Sequence, residues 1–315
     1  MQMIAPIPVR PWTLNGISER MLVSHYENNY GSAVRTLNAV RRELAEHAAE
    51  MPGYRLRAIK REELAAIGSV ALHELYFGNL GGEGNKIPEP VAVALEEHFA
   101  SVSSWRREFV GMAQSLAGGS GWALLTFSRR EKRFWNQIAS DHTQSAVDAA
   151  PVLVLDMYEH AYHLDFGANA TAYIDAFMRN VNWAAVIERI NAVRAGRALP
   201  NEDPSDVSLP SVSVEELAAQ IARGETVQVL DARPRHYISR NVDLMEGAVW
   251  RDPDQVESWV ADLSPDRPVA VYCAYGFHVG CNVTRALRER GFDARFIRGG
   301  VSAWYAAGGP RALRP

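Results

Sequence analysis

The sequence predicts two folds in series. Residues 1–195 read as an α+β domain, a long helical hairpin followed by helices around a small three-stranded antiparallel sheet, and residues 213–315 as a smaller α/β domain with a parallel sheet. Three observations predict this. Apolar residues recur at helical spacing through two long stretches before residue 80. The period then shortens into aromatic and apolar runs at 122–127, 134–138 and 152–155, the first two separated by the charged turn Ser128-Arg129-Arg130-Glu131-Lys132. Beyond 196–212, an aperiodic linker rich in Pro, Asp and Ser, short β-rich runs alternate with helical ones, as in a parallel sheet covered by helices.

Ser18 stands where its hydroxyl can cap a helix running from Glu19 to about Glu50, which Met51-Pro52-Gly53 stops. A second helix, from about Arg61 to Leu80, ends at Gly81-Gly82. Two long helices joined by a short loop pack as an antiparallel hairpin, which can bring His25 and His73 to one inner seam. Pro90 to Ala117 reads as two more helices anchored by Phe99, Trp105 and Phe109, and helices resume after the sheet from about Glu159 through Arg194. In the second half, Ser213 opens a capping box with Glu216, the helix 214–223 ends at Gly224, and strands are expected at 227–230, 269–272 and 294–297.

At 315 residues the chain has room for two cores of ordinary size, and 47 % apolar with 22 % charged residues is the composition of a globular protein. A net charge of -4 gives no reason to expect nucleic acid, no run is long enough to span a bilayer, and the proline-broken start MQMIAPIPVRPW lacks the apolar core of a signal peptide. The only cysteines, Cys273 and Cys281, form no disulfide framework, so a reducing cytoplasm is the expected setting.

The run PVLVLDMYEHAYHLDF at 151–166 concentrates the chemistry. Val152 to Leu155 suits one buried strand, and His160 follows Asp156 by four residues. If the chain turns helical at Asp156, that spacing sets carboxylate and imidazole on one face, within reach of one metal ion. His25 and His73 are the upstream residues able to complete such a site.

SHYENNYGSAVRTLN around His25, LHELYFGNL around His73, GSGWALL at 119–125, DMYEHAYHLDF from Asp156 and VNW at 181–183 together resemble the iron/manganese superoxide dismutase family. The resemblance implies that His25, His73, Asp156 and His160 hold one Fe or Mn ion with a solvent molecule, and that the ion alternates between two oxidation states to convert superoxide to oxygen and hydrogen peroxide. The surroundings depart from the family pattern. Ala33 replaces a gateway tyrosine, Asn29 and Tyr30 replace a pair of histidines, and Ser69 replaces the outer glutamine of iron enzymes. His142, with Gln144 as the alternative, matches the position from which the sheet side serves the solvent, and His142 favours Fe over Mn. Tyr30 and His142 are thus the residues expected to act beside the ligands. Glu159 matches a glutamate that reaches a partner's ligand histidine, and His163 stands at an altered interface position, implying a homodimer.

VLDARP at 229–234, VYCAYGFHV at 271–279 and GGVSAW at 299–304 resemble a rhodanese domain. Cys273 ends a strand and opens a loop into a helix, a setting that favours a thiolate. The resemblance implies that Cys273 takes a sulfane sulfur from a donor such as thiosulfate and becomes a persulfide. His278 stands where the family often has an arginine, Asp231 and Arg233 match a structural pair, and Cys281 reads better as a packed small residue than as a resolving thiol. The expected function is a dismutase-type redox metalloprotein with a persulfide-forming domain. Its alternative is a sulfurtransferase whose first half is a metal-stabilised dimerisation scaffold or an iron-dependent persulfide-oxidising site.

Overall fold

A computed structural model describes residues 1–200, 208–241 and 243–313. Of the tract expected as a linker, 196–212, residues 201–207 lie outside the described residues, and its last two residues, Ser211–Val212, form a short strand instead. The chain packs as two units: Pro8–His25 with Thr36–Glu202, and Met1–Ile7 with Tyr26–Arg35 and Asp203–Pro315.

Along the chain, α1 (Glu19–Ser24) begins at Ser18, whose hydroxyl accepts from the Met21 amide at 3.1 Å as the sequence predicts. The single helix expected over 19–50 is interrupted: His25–Tyr30 is a π-helical turn, and α2 (Gly31–His47) resumes after it. Such turns widen the ladder from i→i+4 to i→i+5 and recur at functional sites. The second helix starts earlier than expected. Pro52 pre-sets the N-cap backbone, and α3 runs over Gly53–Gly78. Next come α4 (Glu89–Glu96) and α5 (Val102–Ser115), the latter burying Trp105 and Phe109 completely.

The sheet of this unit has order β2-β1-β3, built from β1 (Trp122–Ser128), β2 (Arg133–Ala139) and β3 (Ala149–Asp156), all antiparallel. Every residue of β1 is buried, as suits a central strand between two partners. Its register sets Trp122 opposite both Ala139 and Asp156. The helices expected from Glu159 are a 3₁₀ turn at Glu159–Ala161, α6 (His163–Phe166), α7 (Ala170–Arg179) and α8 (Trp183–Arg194). Gly167 at φ 53° and the caps Asn169 and Asn182 make the breaks. Arg189 of α8 is buried, and it hydrogen-bonds the Asn79 side chain, whose amide donates to Val154 O at 2.8 Å, tying α3 and α8 to the strand that carries Asp156.

The other unit holds a five-stranded parallel sheet of order β4-β9-β8-β5-β7, more strands than the three expected. In chain order its elements are β4 (Ser211–Val212), α9 (Val214–Ala222), β5 (Gln228–Asp231), α10 (Arg235–Ile238), β6 (Asp243–Met245), β7 (Val249–Trp250), α11 (Val256–Trp259), β8 (Val269–Tyr272), α12 (His278–Glu289), β9 (Ala294–Ile297), α13 (Gly300–Ala306) and β10 (Arg311–Leu313). Strands β4 and β7 are two residues long and carry too little periodicity to be seen in sequence. The capping box at Ser213 and Glu216 is formed in both directions. Leu230, Val271, Val283, Leu287 and Ala294 share the core between sheet and helices. N-terminal residues belong to the same packing: Tyr26 donates to Ala5 O at 2.7 Å, and the Ile4 amide donates to Glu215 Oε1 at 2.7 Å.

Among the described residues, no helix is long and apolar enough to cross a membrane.

Candidate metal centre and thiol loop

His25, His73, Asp156 and His160 each present a ligand atom, and these atoms all lie within 4.8 Å of one another. The arrival of Asp156 and His160 differs from the helical turn expected. Asp156 is the last residue of β3, and the 3₁₀ turn at Glu159–Ala161 swings His160 back so that its Nε2 sits 3.2 Å from Asp156 Oδ2. A four-residue spacing brings the two together by a strand end and a tight turn instead of by one helix face.

The carboxylate is the centre of the cluster. Its Oδ1 accepts from the Tyr158 amide at 2.8 Å, which fixes the group and leaves Oδ2 at 3.1 Å from His25 Nε2 and 3.8 Å from His73 Nε2. Asp156 is fully buried. Burial alone opposes its ionisation, but the His160 hydrogen bond and the close approach of the His160 and His25 imidazoles outweigh burial and hold the carboxyl well below the usual carboxylate range. For His25 and His73 burial wins. It lowers the pKa of His25 and, reinforced by the neighbouring His25, pushes that of His73 down to about 3. Neutral imidazoles around an anionic carboxylate are the protonation state a divalent or trivalent cation requires.

His73 is further specified by its own helix. Its Nδ1 lies 2.7 Å from Ser69 O and 3.3 Å from Ser69 Oγ, so Nδ1 carries the proton and Nε2 presents a lone pair to the cluster. His25 is buried with neither ring nitrogen in a hydrogen bond of good geometry. Buried polar atoms left this way are costly unless an absent partner satisfies them. Three imidazole nitrogens and one carboxylate oxygen fit a first-row transition ion such as iron or manganese, and the lack of thiolates argues against zinc-thiolate or iron-sulfur chemistry. Tyr76 and Phe77 pack against His25 with ring centres 5.0 Å and 5.1 Å away, and Trp122 meets His73 edge-on at 5.2 Å, so apolar rings wall the cluster. Tyr173 donates to the Asp156 main-chain oxygen at 2.8 Å and lies 3.1 Å from the Tyr76 hydroxyl; burial raises both phenols above their ordinary pKa and keeps them protonated.

His142 joins this group. Its Nδ1 accepts from Trp122 Nε1 at 3.0 Å, its ring stacks on Tyr158 at 5.0 Å, and its centre is 6.3 Å from that of His73. Accepting at Nδ1 leaves the proton on Nε2, and burial lowers the pKa and favours this neutral form. Gln144, the alternative in sequence, is committed elsewhere: its side-chain oxygen accepts from the Ser140 amide at 2.9 Å, and its main-chain oxygen accepts from Gln137. The residue that sequence reasoning missed is Gly68. A Cβ there would lie 1.8 Å from the main-chain oxygen of His142, so only glycine lets that segment close onto α3. The signal, a glycine inside an otherwise strong helix five residues before a ligand, was present. Tyr30 is buried, its hydroxyl accepting from the Ala5 amide at 2.8 Å and its ring centre 5.4 Å from that of Tyr26. Ala33 and Ser69 are buried, and Glu159 and His163 are exposed.

In the other unit, Cys273 follows β8 and is 6 % exposed, and the loop from it enters α12 at the exposed His278. A Cβ on Gly280 would sit 3.5 Å from Cys273 Sγ, so the first turn of α12 packs directly on the sulfur. Val301 N donates to Cys273 O at 3.0 Å and Ser302 N to Ala274 O at 3.1 Å, fixing the loop against α13. Cys281 packs with Leu209 and Phe296, in keeping with the packed-residue expectation. Arg233 and Asp231 form a buried bidentate pair, and Arg233 also donates to Asp243 O, which makes the pair a brace between β5 and β6.

Residues 88–189 match the family described as iron/manganese superoxide dismutases, C-terminal domain, and residues 213–307 match the rhodanese-like domain. Over 188 residues the chain is 49 % identical to the iron superoxide dismutase of Cupriavidus metallidurans, covering 59 % of this chain and 95 % of that protein. It is 32 % identical to the iron enzyme of Aquifex pyrophilus, over 61 % of this chain and 92 % of the other. Identity is also 32 % to a manganese superoxide dismutase of Haloferax volcanii, over 53 % and 83 %.

Proposed function

Because the chain belongs to the iron/manganese superoxide dismutase family and carries a rhodanese-like domain over residues 213–307, we propose that it disproportionates superoxide at His25, His73, Asp156 and His160 and carries sulfane sulfur on Cys273. The observation that carries the first part is the buried cluster of four ligand atoms around one carboxylate oxygen. When bound, an iron or manganese ion supplies one-electron redox chemistry: two superoxide ions and two protons give one oxygen and one hydrogen peroxide.

The chain's own residues do the rest. Asp156 would place one negative charge against a bound ion, and Tyr158 N and Ser69 O hold the carboxylate and the His73 ring in orientation. The aromatic wall restricts water, so charge interactions inside are stronger than in bulk solvent. His142, neutral with its proton on Nε2, is the residue we assign to proton supply, and its identity favours iron. On the family resemblance alone, Tyr30 is proposed as a second proton source; its hydroxyl accepts from the Ala5 amide. The exposed Glu159 and His163 form part of a homodimer interface, and a Glu159→Ala chain is expected to sediment as a monomer or a weakened dimer. The proposed setting is a reducing cytoplasm, a reading supported by Cys273 and Cys281 not being joined in a disulfide.

At Cys273 the thiolate attacks the outer sulfur of thiosulfate. A sulfur–sulfur bond forms to the cysteine, the bond to the sulfonate sulfur breaks, and sulfite leaves with the electron pair, so charge and atoms balance. A persulfide mass increment on Cys273 after exposure to thiosulfate tests this part. The first part is tested by the metal-replete protein and His73→Ala: loss of metal and of superoxide disproportionation together supports it. Activity no higher than that of free metal in the metal-loaded chain would leave the dimerisation-scaffold alternative.

A further inference from the structure

The unit that carries Cys273 includes a helix from far upstream. Ser302, in the first turn of α13, holds the Cys273 loop through its amide, which donates to Ala274 O at 3.1 Å. Its hydroxyl donates to Glu27 Oε1 at 2.9 Å. The other carboxylate oxygen of Glu27 accepts from Arg311 Nη2 at 2.8 Å, and Arg311 is held in turn by Asp243 Oδ2 at 2.6 Å and lies over the Tyr305 ring at 3.6 Å. Ser302 is 2 % exposed and the Glu27 side chain 13 %, so the Ser302 to Glu27 hydrogen bond is shielded from solvent and charge-assisted, whereas Arg311, 50 % exposed, reaches Glu27 from the surface side. The fit is specific at a second point. A Cβ on Gly31 would lie 2.5 Å from Ala306 O, so a glycine is required for α2 to approach the end of α13, where Arg35 also hydrogen-bonds the same oxygen.

We propose that Glu27 is a positioning residue for the Cys273 loop, acting through Ser302, so that residues 26–35 complete the thiol site that sequence alone assigns to residues 213–315. One residue, Ser302, binds Glu27 with its side chain and the loop with its main chain, which gives Glu27 a route to the loop that a mere packing contact lacks. The inference rests on the reading of Cys273 as the sulfur carrier for its functional meaning, while its geometric content is testable without sulfur transfer.

The test uses the full chain as wild type, Glu27→Ala, Glu27→Gln, Ser302→Ala and the Glu27→Ala/Ser302→Ala double variant. Iodoacetamide is the probe, and mass spectrometry reads the alkylation rates of Cys273 and Cys281 separately. Loss of one charge-assisted hydrogen bond is expected to loosen the loop and raise Cys273 alkylation about fivefold in Glu27→Ala and in Ser302→Ala, with Cys281 unchanged. Glu27→Gln, whose amide oxygen still accepts from Ser302, is expected to stay close to wild type, and the double variant to match either single one, because both remove the same link. Cys273 rates within about twofold of wild type in both single variants, or Cys281 rising in step with Cys273, would overturn the proposal. A wild-type chain that takes up no sulfur from thiosulfate would instead remove the sulfur-carrier reading, and the alkylation rates would still decide the positioning role.

Discussion

Replacing Gly68 with alanine should impair the metal centre without touching a ligand. The added Cβ falls 1.8 Å from His142 O, and even a 3.0 Å contact requires that oxygen to retreat by about 1.2 Å. The obstacle is main chain, so no rotamer change relieves it. A shift of that size is enough to stretch the Trp122 Nε1 to His142 Nδ1 hydrogen bond, now 3.0 Å, past hydrogen-bonding range. The steric strain costs about 1–3 kcal/mol and the lost hydrogen bond about 1 kcal/mol more. A proton donor displaced by about 1 Å costs on the order of tenfold to a hundredfold in turnover. The assay is superoxide disproportionation per bound metal ion, beside metal content and thermal midpoint. Gly68→Ala is expected to keep its metal, lose several degrees of stability and lose at least about tenfold in rate per metal. Ser69→Ala, which keeps the main-chain acceptor for His73, is expected to remain within a few-fold of wild type. Full rate per metal in Gly68→Ala would refute the assignment of proton supply to His142.

Asp156→Asn keeps the shape of the side chain but removes the charge that three imidazoles surround, and metal content after purification should fall at least about tenfold, read by elemental analysis. The metal-free chain should lose stability on acidification. His73 takes up its proton near pH 3 when folded and near pH 6.5 when unfolded, so its contribution is complete above about 6.5 and declines as pH falls toward 3. The depressed Asp156 acts only below about pH 4, so calorimetry of the metal-free chain at pH 5 should give a lower midpoint than at pH 7.5, and His73→Gln should shrink the difference. Cys273→Ser should abolish the persulfide adduct. His278→Arg, which adds a permanent charge at the start of α12, should raise the rate with thiosulfate more than the rate with an uncharged persulfide donor.

That these four side chains gather in one place was legible partly from local pattern, a strand ending on Asp156 with a histidine four residues on, and partly from the family resemblance of the runs around His25 and His73. The way Asp156 and His160 meet was not legible, since a strand end followed by a 3₁₀ turn and a single helix give the same four-residue spacing. The π-helical turn at His25–Tyr30 leaves hydrophobic periodicity almost intact, and so it was invisible to a 3.6-residue template. Helices were expected between about Glu159 and Arg194, and the turn and cap signals at Gly167 and Asn182 mark where the breaks between them fall. The largest gap between sequence and structure lies in residues 26–35, which pack in the unit of the C-terminal half. Glu27 reaches Ser302 across 275 residues of sequence and Arg311 across 284, and no local pattern encodes a contact of that separation.

The central claim is that His25, His73, Asp156 and His160 converge on one redox-active ion that turns over superoxide. Elemental analysis and superoxide disproportionation measured on the same preparations of wild type and His73→Ala test it most directly. The structure predicts close to one iron or manganese ion per chain and activity proportional to that occupancy in wild type, with both lost in the variant. A wild-type chain that binds neither ion, or a His73→Ala chain that retains metal and full activity, would contradict it.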